Sequence, residues 1–305
     1  MSGIYVYSDN LALSLALSTL GGQSGKEVCA ITLEQTQASE LAQYGADRVL
    51  VLNGNSSRPE DYAKALAQLL KEADAELFLV GSTARGRELA AKTAAYMDCG
   101  MVSDVSSLEF TEGKTITTRL MYGGSVVQTD IIASMAVVTV PAGKYEAVRS
   151  ENKNCTITTL EVEADPRINI VSTSTIVKEG VDLSAADKVV CVGMGLDKEE
   201  DLKMAHDLAA VLGAAVACTR GIAEERHWLP VQTYIGISGA NVKPSLYLSM
   251  GVSGQIQHVV GIRDSRVIVA VDINEKAPIF KAADYGIVGD MYEVIPLLVE
   301  VLKNI

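Results

Sequence analysis

Leu246-Tyr247-Leu248-Ser249-Met250, running into Gly251-Val252-Ser253-Gly254-Gln255-Ile256-Gln257-His258, reads as an apolar strand that ends in a glycine-rich turn and continues as a helix. The two glycines allow backbone conformations closed to other residues, so the chain can double back at the strand end. A helix beginning there directs backbone N–H groups, the Ser253 hydroxyl and the His258 imidazole toward one small volume. Such a volume suits a phosphorylated, planar, partly anionic ligand. Strand, turn and helix in this order are also the repeating unit of a parallel sheet covered by helices.

The same alternation extends along the chain. Residues 3–7, 28–33, 48–52 and 76–80 read as strands, while 11–20, 37–44, 59–72 and 87–97 carry apolar residues at helical spacing. Residues 115–120, 125–134 and 135–140 are closely spaced strand candidates with glycine-containing turns, which predicts antiparallel strands added to the first sheet. Thr156 to Val181 is polar and carries Asp165-Pro166 and Glu179-Gly180, the composition of a connection between domains. Beyond it, strands are expected at 189–192, 214–218, 244–250 and 267–271, and helices at 198–212, 256–261 and 292–302. The reading is α/β throughout: a Rossmann-like N-terminal domain over 1–178 with added antiparallel strands, then a flavodoxin-like or Rossmann-type domain over 179–305.

Composition bounds the function. At 305 residues and 48% apolar, the chain can bury the cores of two domains. Its 26 Lys and Arg against 38 Asp and Glu give a net charge of −12, which repels nucleic-acid backbones and anionic lipid. The five cysteines form no Cys-x-x-Cys pair and read as small hydrophobes of a reducing compartment. Residues 11–20 are broken by Ser14, Ser18 and Thr19 and are too short to span a bilayer, and no basic flank of an export signal precedes them. A cytoplasmic protein without membrane insertion is expected. The sequence offers no metal-ligand spacing and no convincing catalytic triad.

Besides the opening stretch, two other places could touch a nucleotide, and two strand-end acids add a further clue. Gly193-Met194-Gly195 follows a strand and precedes a helix, but a third fingerprint glycine would fall at Lys198, so it is either a tight turn or a ligand contact. Thr219-Arg220 stands at a strand's carboxyl end, where a guanidinium can lie against a planar π-system or pair with Glu224 or Glu225. Asp272 ends a strand and could accept ribose hydroxyls, and Asp290 could do the same or cap the helix that begins at Met291. His258 could equally be a core histidine bonded to backbone.

From Cys191 to Leu302 the order and spacing of these features resemble the flavin domain of electron-transfer flavoprotein alpha subunits, as does the run Ala277 to Asp290. The resemblance implies FAD as cofactor. It places Arg220 against the isoalloxazine ring, with Thr219 matching the serine before it. Ile235-Gly236-Ile237-Ser238-Gly239 stands where the family has Val-Gly-Gln-Thr-Gly, which directs Ser238 at flavin N5. Ser253, Gly254, Gln255, Ile256, Gln257 and His258 match their segment, with His258 as the imidazole near flavin O2, and Asp290 beside Met291 falls on the adenosine side. Pro244, Tyr247 and Ala283 to Gly286 are framework positions. Departures stand at Met194, an arginine in the family, at Ile237-Ser238, and at Asp272, an asparagine in the family; losing a cation and gaining an anion predicts weaker FAD retention.

The first domain is similar more loosely, through Tyr122-Gly123-Gly124 and Val137 to Val140, and the resemblance makes it a flavin-free docking platform for a beta subunit. Its Ser8-Asp9-Asn10 turn, which lacks glycine, agrees. The implied function is electron transfer by a heterodimer, from a dehydrogenase such as an acyl-CoA dehydrogenase to a quinone oxidoreductase or similar acceptor. Some variants also resemble the Fix-type branch, whose alpha subunits work with dedicated dehydrogenases or quinone reductases. The alternative is an adenine-nucleotide-binding module without redox activity. A nicotinamide-dependent oxidoreductase acting alone is disfavoured by the incomplete Gly-x-Gly-x-x-Gly turns.

Overall fold

Short apolar runs buried on both faces need helices above and below them, and that requirement builds both halves of the chain. The computed structural model describes residues 3–111, 114–150, 154–174 and 182–304. Two compact units emerge, Met1–Thr173 and Ser174–Ile305. The domain boundary expected between 178 and 179 lies outside the described residues.

In the first unit, β1 (Ile4–Tyr7), β2 (Val28–Thr32), β3 (Arg48–Asn53) and β4 (Leu77–Gly81) are joined by α1 (Leu11–Gly22), α2 (Ala38–Leu41) and α3 (Ala63–Glu72), and α4 (Ala84–Met97) follows. Strand residues alternate between faces. Ile4, Val6, Val28 and Ala30 pack with Leu13 and Leu17 of α1. Tyr5, Tyr7, Ile31 and Phe78 pack with Leu66, Leu70 and Leu89 of α3 and α4. Each such buried leucine contributes roughly 1.5–3 kcal/mol. After β5 (Gly100–Val102) come β6 (Ser107–Thr111), β7 (Lys114–Met121), β8 (Val126–Ile132), β9 (Ala136–Val140) and β10 (Thr156–Glu161).

The seven-stranded sheet runs β10-β3-β2-β1-β4-β9-β5, and β6-β7-β8 form a separate three-stranded sheet. Two expectations are corrected. The run 135–140 is not antiparallel: β9 pairs parallel with both β4 and β5. All five of its residues are buried, as a strand covered on both faces requires. Thr156 to Glu161 is not part of a connection but an edge strand paired in parallel with β3. Its six side chains are exposed, which is why it reads as linker.

The second unit contains β11 (Lys188–Val192), α5 (Leu202–Leu212), β12 (Ala215–Cys218), β13 (Leu246–Met250), α6 (Ile256–Val259), β14 (Ile268–Asp272), β15 (Tyr285–Val288) and α7 (Met291–Lys303). Its parallel sheet runs β12-β11-β13-β14-β15, the flavodoxin-like order. Val190, Val192, Leu248 and Met250 pack with Leu208 of α5 and Ile295 of α7. On the opposite face Val189, Cys191, Tyr247 and Ala270 meet Ile235, which lies in a loop, and Ile279, in a single 3-10 turn over Pro278–Lys281. That face is therefore covered largely by irregular chain, and this chain also forms the site. No helix among the described residues is long and apolar enough to cross a membrane.

Candidate functional site

The strand order reverses between β11 and β13, because the chain leaves β11 toward β12 on one side and reaches β13 on the other. Loops leaving a sheet in opposite directions open a crevice at the strands' carboxyl ends. Here both loops are rich in glycine, and they touch. The Gly193 amide donates to Met250 O at 3.0 Å and the Gly195 amide to Gly251 O at 3.0 Å. A Cβ on Gly193 would stand 2.0 Å from the Gly251 carbonyl oxygen. Gly193 and Gly195 thus form the tight turn, and they are glycine because another backbone passes there. Between them Met194 is half-exposed, its sulfur across from Gly221. Gly251 and Gly254 take φ of +63° and +80°, open to few other residues.

At the end of β12, the Thr219 amide bonds Val192 O at 2.9 Å. The Thr219 hydroxyl oxygen is buried without a hydrogen-bond partner, a costly state unless a ligand or water completes it. Arg220 follows, opening a π-helical turn over Gly221–Glu225. Its Nε donates to Glu224, so the alternative of an ion pair is realised while the guanidinium remains largely exposed.

Tyr234 to Ala240 form the next wall. Isolated bridges join Cys218 to Tyr234 and Ile235 to Ala240, and the Tyr234 hydroxyl donates to Ser238 O at 2.8 Å. This loop rests on α6 through the Ile237 amide, which donates to Gln257 O at 2.9 Å. His258 is 7% exposed, with Nδ1 3.1 Å from Ile235 O and Nε2 2.7 Å from the Tyr247 hydroxyl. A carbonyl only accepts, so Nδ1 carries the proton and Nε2 accepts from tyrosine. Burial pushes the imidazole down to about 4, which keeps it neutral. Both ring nitrogens are engaged inside the protein.

On the far side, Asp272 accepts the Asn274 amide at 2.8 Å, closing its own turn. Asp290 accepts the Tyr292 amide at 2.9 Å and caps α7, as an N-cap aspartate does. One cavity of about 1080 Å³ gathers all the expected residues except Gly239 and Ile256. Gly239 lies against the Tyr234 ring instead, and Ile256 is 57% exposed.

Sequence reasoning missed Asp197, Tyr234 and Tyr292 among the lining residues, and it named Glu224 and Glu225 only as partners for Arg220. Asp197, Glu224, Glu225, Asp272 and Asp290 put five carboxylates in the lining, where Arg220 is the one cation. Tyr292 is fixed by its hydroxyl, which donates to Asp201 at 2.6 Å and accepts the Asp197 amide at 2.9 Å. Asp201 thus has a specific partner besides its favourable place at a helix start. Burial raises the Cys191 thiol, and pushes Cys218 up to about 11, so these cysteines are poor nucleophiles. Among the described residues no group of three or more His, Cys, Asp or Glu is arranged to hold a metal ion.

Residues 182–263 match the family described as the electron transfer flavoprotein FAD-binding domain, and residues 5–165 match the electron transfer flavoprotein domain. The chain is 39% identical to YdiR of Escherichia coli (strain K12), over 100% of this chain and 99% of that one. It is 35% identical to the protein FixB of Escherichia coli O157:H7, over 99% of each chain. FixB of Salmonella typhi is 33% identical over the same shares.

Proposed function

This chain belongs to the electron transfer flavoprotein family as an alpha-type subunit, and from that premise we propose that its C-terminal cavity holds FAD and that it carries electrons as a heterodimer with a beta subunit. FAD is the cofactor of the matched C-terminal domain, and an alpha-type subunit implies a beta partner. The observation that carries the reading is the cavity at the β11/β13 reversal, bordered by the unpartnered Thr219 hydroxyl and by Arg220. Its volume of about 1080 Å³ matches the upper end of the roughly 300–1,000 Å³ usual for ligand pockets, as a dinucleotide needs.

The bound isoalloxazine supplies the redox chemistry; the chain supplies orientation and charge. Arg220 brings positive charge to the cavity and favours electron-rich forms of a ring beside it, while its pairing with Glu224 tempers that charge. Thr219 and Ser238 offer hydroxyl donors. The loops of Gly193 and Gly251 let backbone approach the ligand. Five carboxylates around one arginine make the cavity a weak attractor for a diphosphate, consistent with Met194 and Asp272 replacing more favourable residues.

The donor is a dehydrogenase such as an acyl-CoA dehydrogenase, the acceptor a quinone oxidoreductase or similar protein, and the compartment the cytoplasm. Co-purification with a neighbouring beta subunit, followed by absorption spectroscopy and mass spectrometry of the released cofactor, tests this. A yellow complex releasing FAD is expected. Colourless protein that binds AMP but cannot be reconstituted with FAD would favour an adenine-nucleotide module. Arg220→Ala should lower the flavin potential, by an energy on the order of 1 kcal/mol or less given the arginine's exposure; unchanged potentiometry of the mutant heterodimer would remove Arg220 from this role.

A further inference from the structure

We propose that Tyr247 is a positioning residue for the flavin site, acting through His258 to fix the Ile235–Ser238 segment. The inference rests on the FAD reading above only for what that segment faces; the hydrogen-bond chain itself stands on the protein alone.

Tyr247 lies on β13 and is fully buried, so its hydroxyl must find a partner or incur the cost of an unsatisfied polar group. Its partners are His258 Nε2 at 2.7 Å and the buried Cys191 thiol, the tyrosine and imidazole rings being tilted 50° with centroids 6.2 Å apart. The chain of donors has one direction. Ile235 O cannot donate, so His258 Nδ1 must, across 3.1 Å. Nε2 then offers only a lone pair, and the Tyr247 hydroxyl hydrogen fills it. The opposite tautomer would set a nitrogen lone pair against the carbonyl oxygen of Ile235 and lose that hydrogen bond.

The consequence falls on the loop. Ile235 is held from below by His258, and Ile237 is held by Gln257 O at 2.9 Å. Two anchors two residues apart fix the direction in which Ser238 leaves them, and Tyr234 ties the Ser238 carbonyl from the other side at 2.8 Å. Removing the tyrosine hydroxyl frees Nε2, lets the ring turn or exchange its proton between nitrogens, and slackens the first anchor. The same hydroxyl therefore keeps His258 from presenting an N–H to the cavity.

Selective nitrogen-15 labelling of the three histidines tests the first half directly, in the heterodimer with and without FAD. His258 should be the neutral Nδ1–H tautomer, with an Nε2 shift typical of a hydrogen-bond acceptor. An Nε2–H tautomer would overturn the proposal without any variant needing to fold. In the Tyr247→Phe heterodimer we expect mixed tautomers, a displaced flavin absorption band, an altered midpoint potential and about tenfold weaker FAD retention. If the variant kept the wild-type tautomer, band and potential, Tyr247 would be a packing residue and the proposal wrong. If the wild-type heterodimer bound no FAD while the tautomer was as stated, the FAD reading would fail and this hydrogen-bond chain would stand.

Discussion

The two sheets reverse strand order in comparable places and treat the opening differently. In the first unit the reversal lies between β1 and β4. There the Thr83 hydroxyl donates to Asp9, the Ser82 hydroxyl donates to Asp104, and Asn10 caps α1 through the Leu13 amide at 3.0 Å. A Cβ on Gly81 would stand 2.3 Å from the Ser8 hydroxyl oxygen. Polar groups at that reversal satisfy one another, and two carboxylates stand where a phosphate would need donors. At the β11/β13 reversal the loops are built of glycine, a threonine hydroxyl is left over, and a cavity remains. Topology offers the crevice; local side chains decide whether it becomes a joint or a site.

Matched substitutions break this comparison most sharply. Gly193→Ala sets a methyl against backbone and should cost about 3 kcal/mol or more in the second unit, with loss of FAD. Gly81→Ala meets the Ser8 hydroxyl, which can turn, and also Ser8 Cβ and a Leu13 methyl at 2.7 Å, which must shift, and should cost about 1–3 kcal/mol without changing flavin content. Urea titration with flavin absorbance after gel filtration separates the two outcomes. Trp228, the one tryptophan, reports on the second unit. Equal flavin loss in both variants would contradict the division of labour.

A pH experiment ranks next. His258 has a folded-state value near 4 against about 6.5 in an unfolded chain, so the unfolded state binds more protons between them. Its contribution is fully present above pH 6.5 and is lost as pH falls toward 4, by about 3 kcal/mol. Trp228 fluorescence during urea unfolding should show this decline, and His258→Gln should flatten it. The smallest effects are at the helix caps. Asp290→Ala and Thr83→Ala should each cost about 1 kcal/mol, through α7 and α4 respectively. Only the first should also weaken FAD binding, as equilibrium dialysis would show.

Local signals were legible where the physics is local. The Leu246–Met250 strand and its glycine turn follow from apolar residues meeting residues that tolerate positive φ. The Gly193-Met194-Gly195 spacing marks a turn, but the reason for glycine, a carbonyl 58 residues away at Gly251, belongs to tertiary structure. Exposed edges hid strands: β10 presents six exposed polar or mixed residues and β15 four exposed ones, so neither carries a burial pattern. The run 135–140 follows two antiparallel strands in sequence, and nearness along the chain suggested the wrong partner. His258 read as either a ligand contact or a core residue because its deciding partners, Tyr247 and Ile235, are placed by folding.

The most direct test is a crystal structure of the heterodimer with FAD. The account predicts the isoalloxazine beside Arg220 and the Ile235–Ser238 segment, with the dinucleotide running past the Gly193 and Gly251 loops toward Asp290. FAD bound at the β1/β4 reversal, or outside the second unit's cavity, would contradict it.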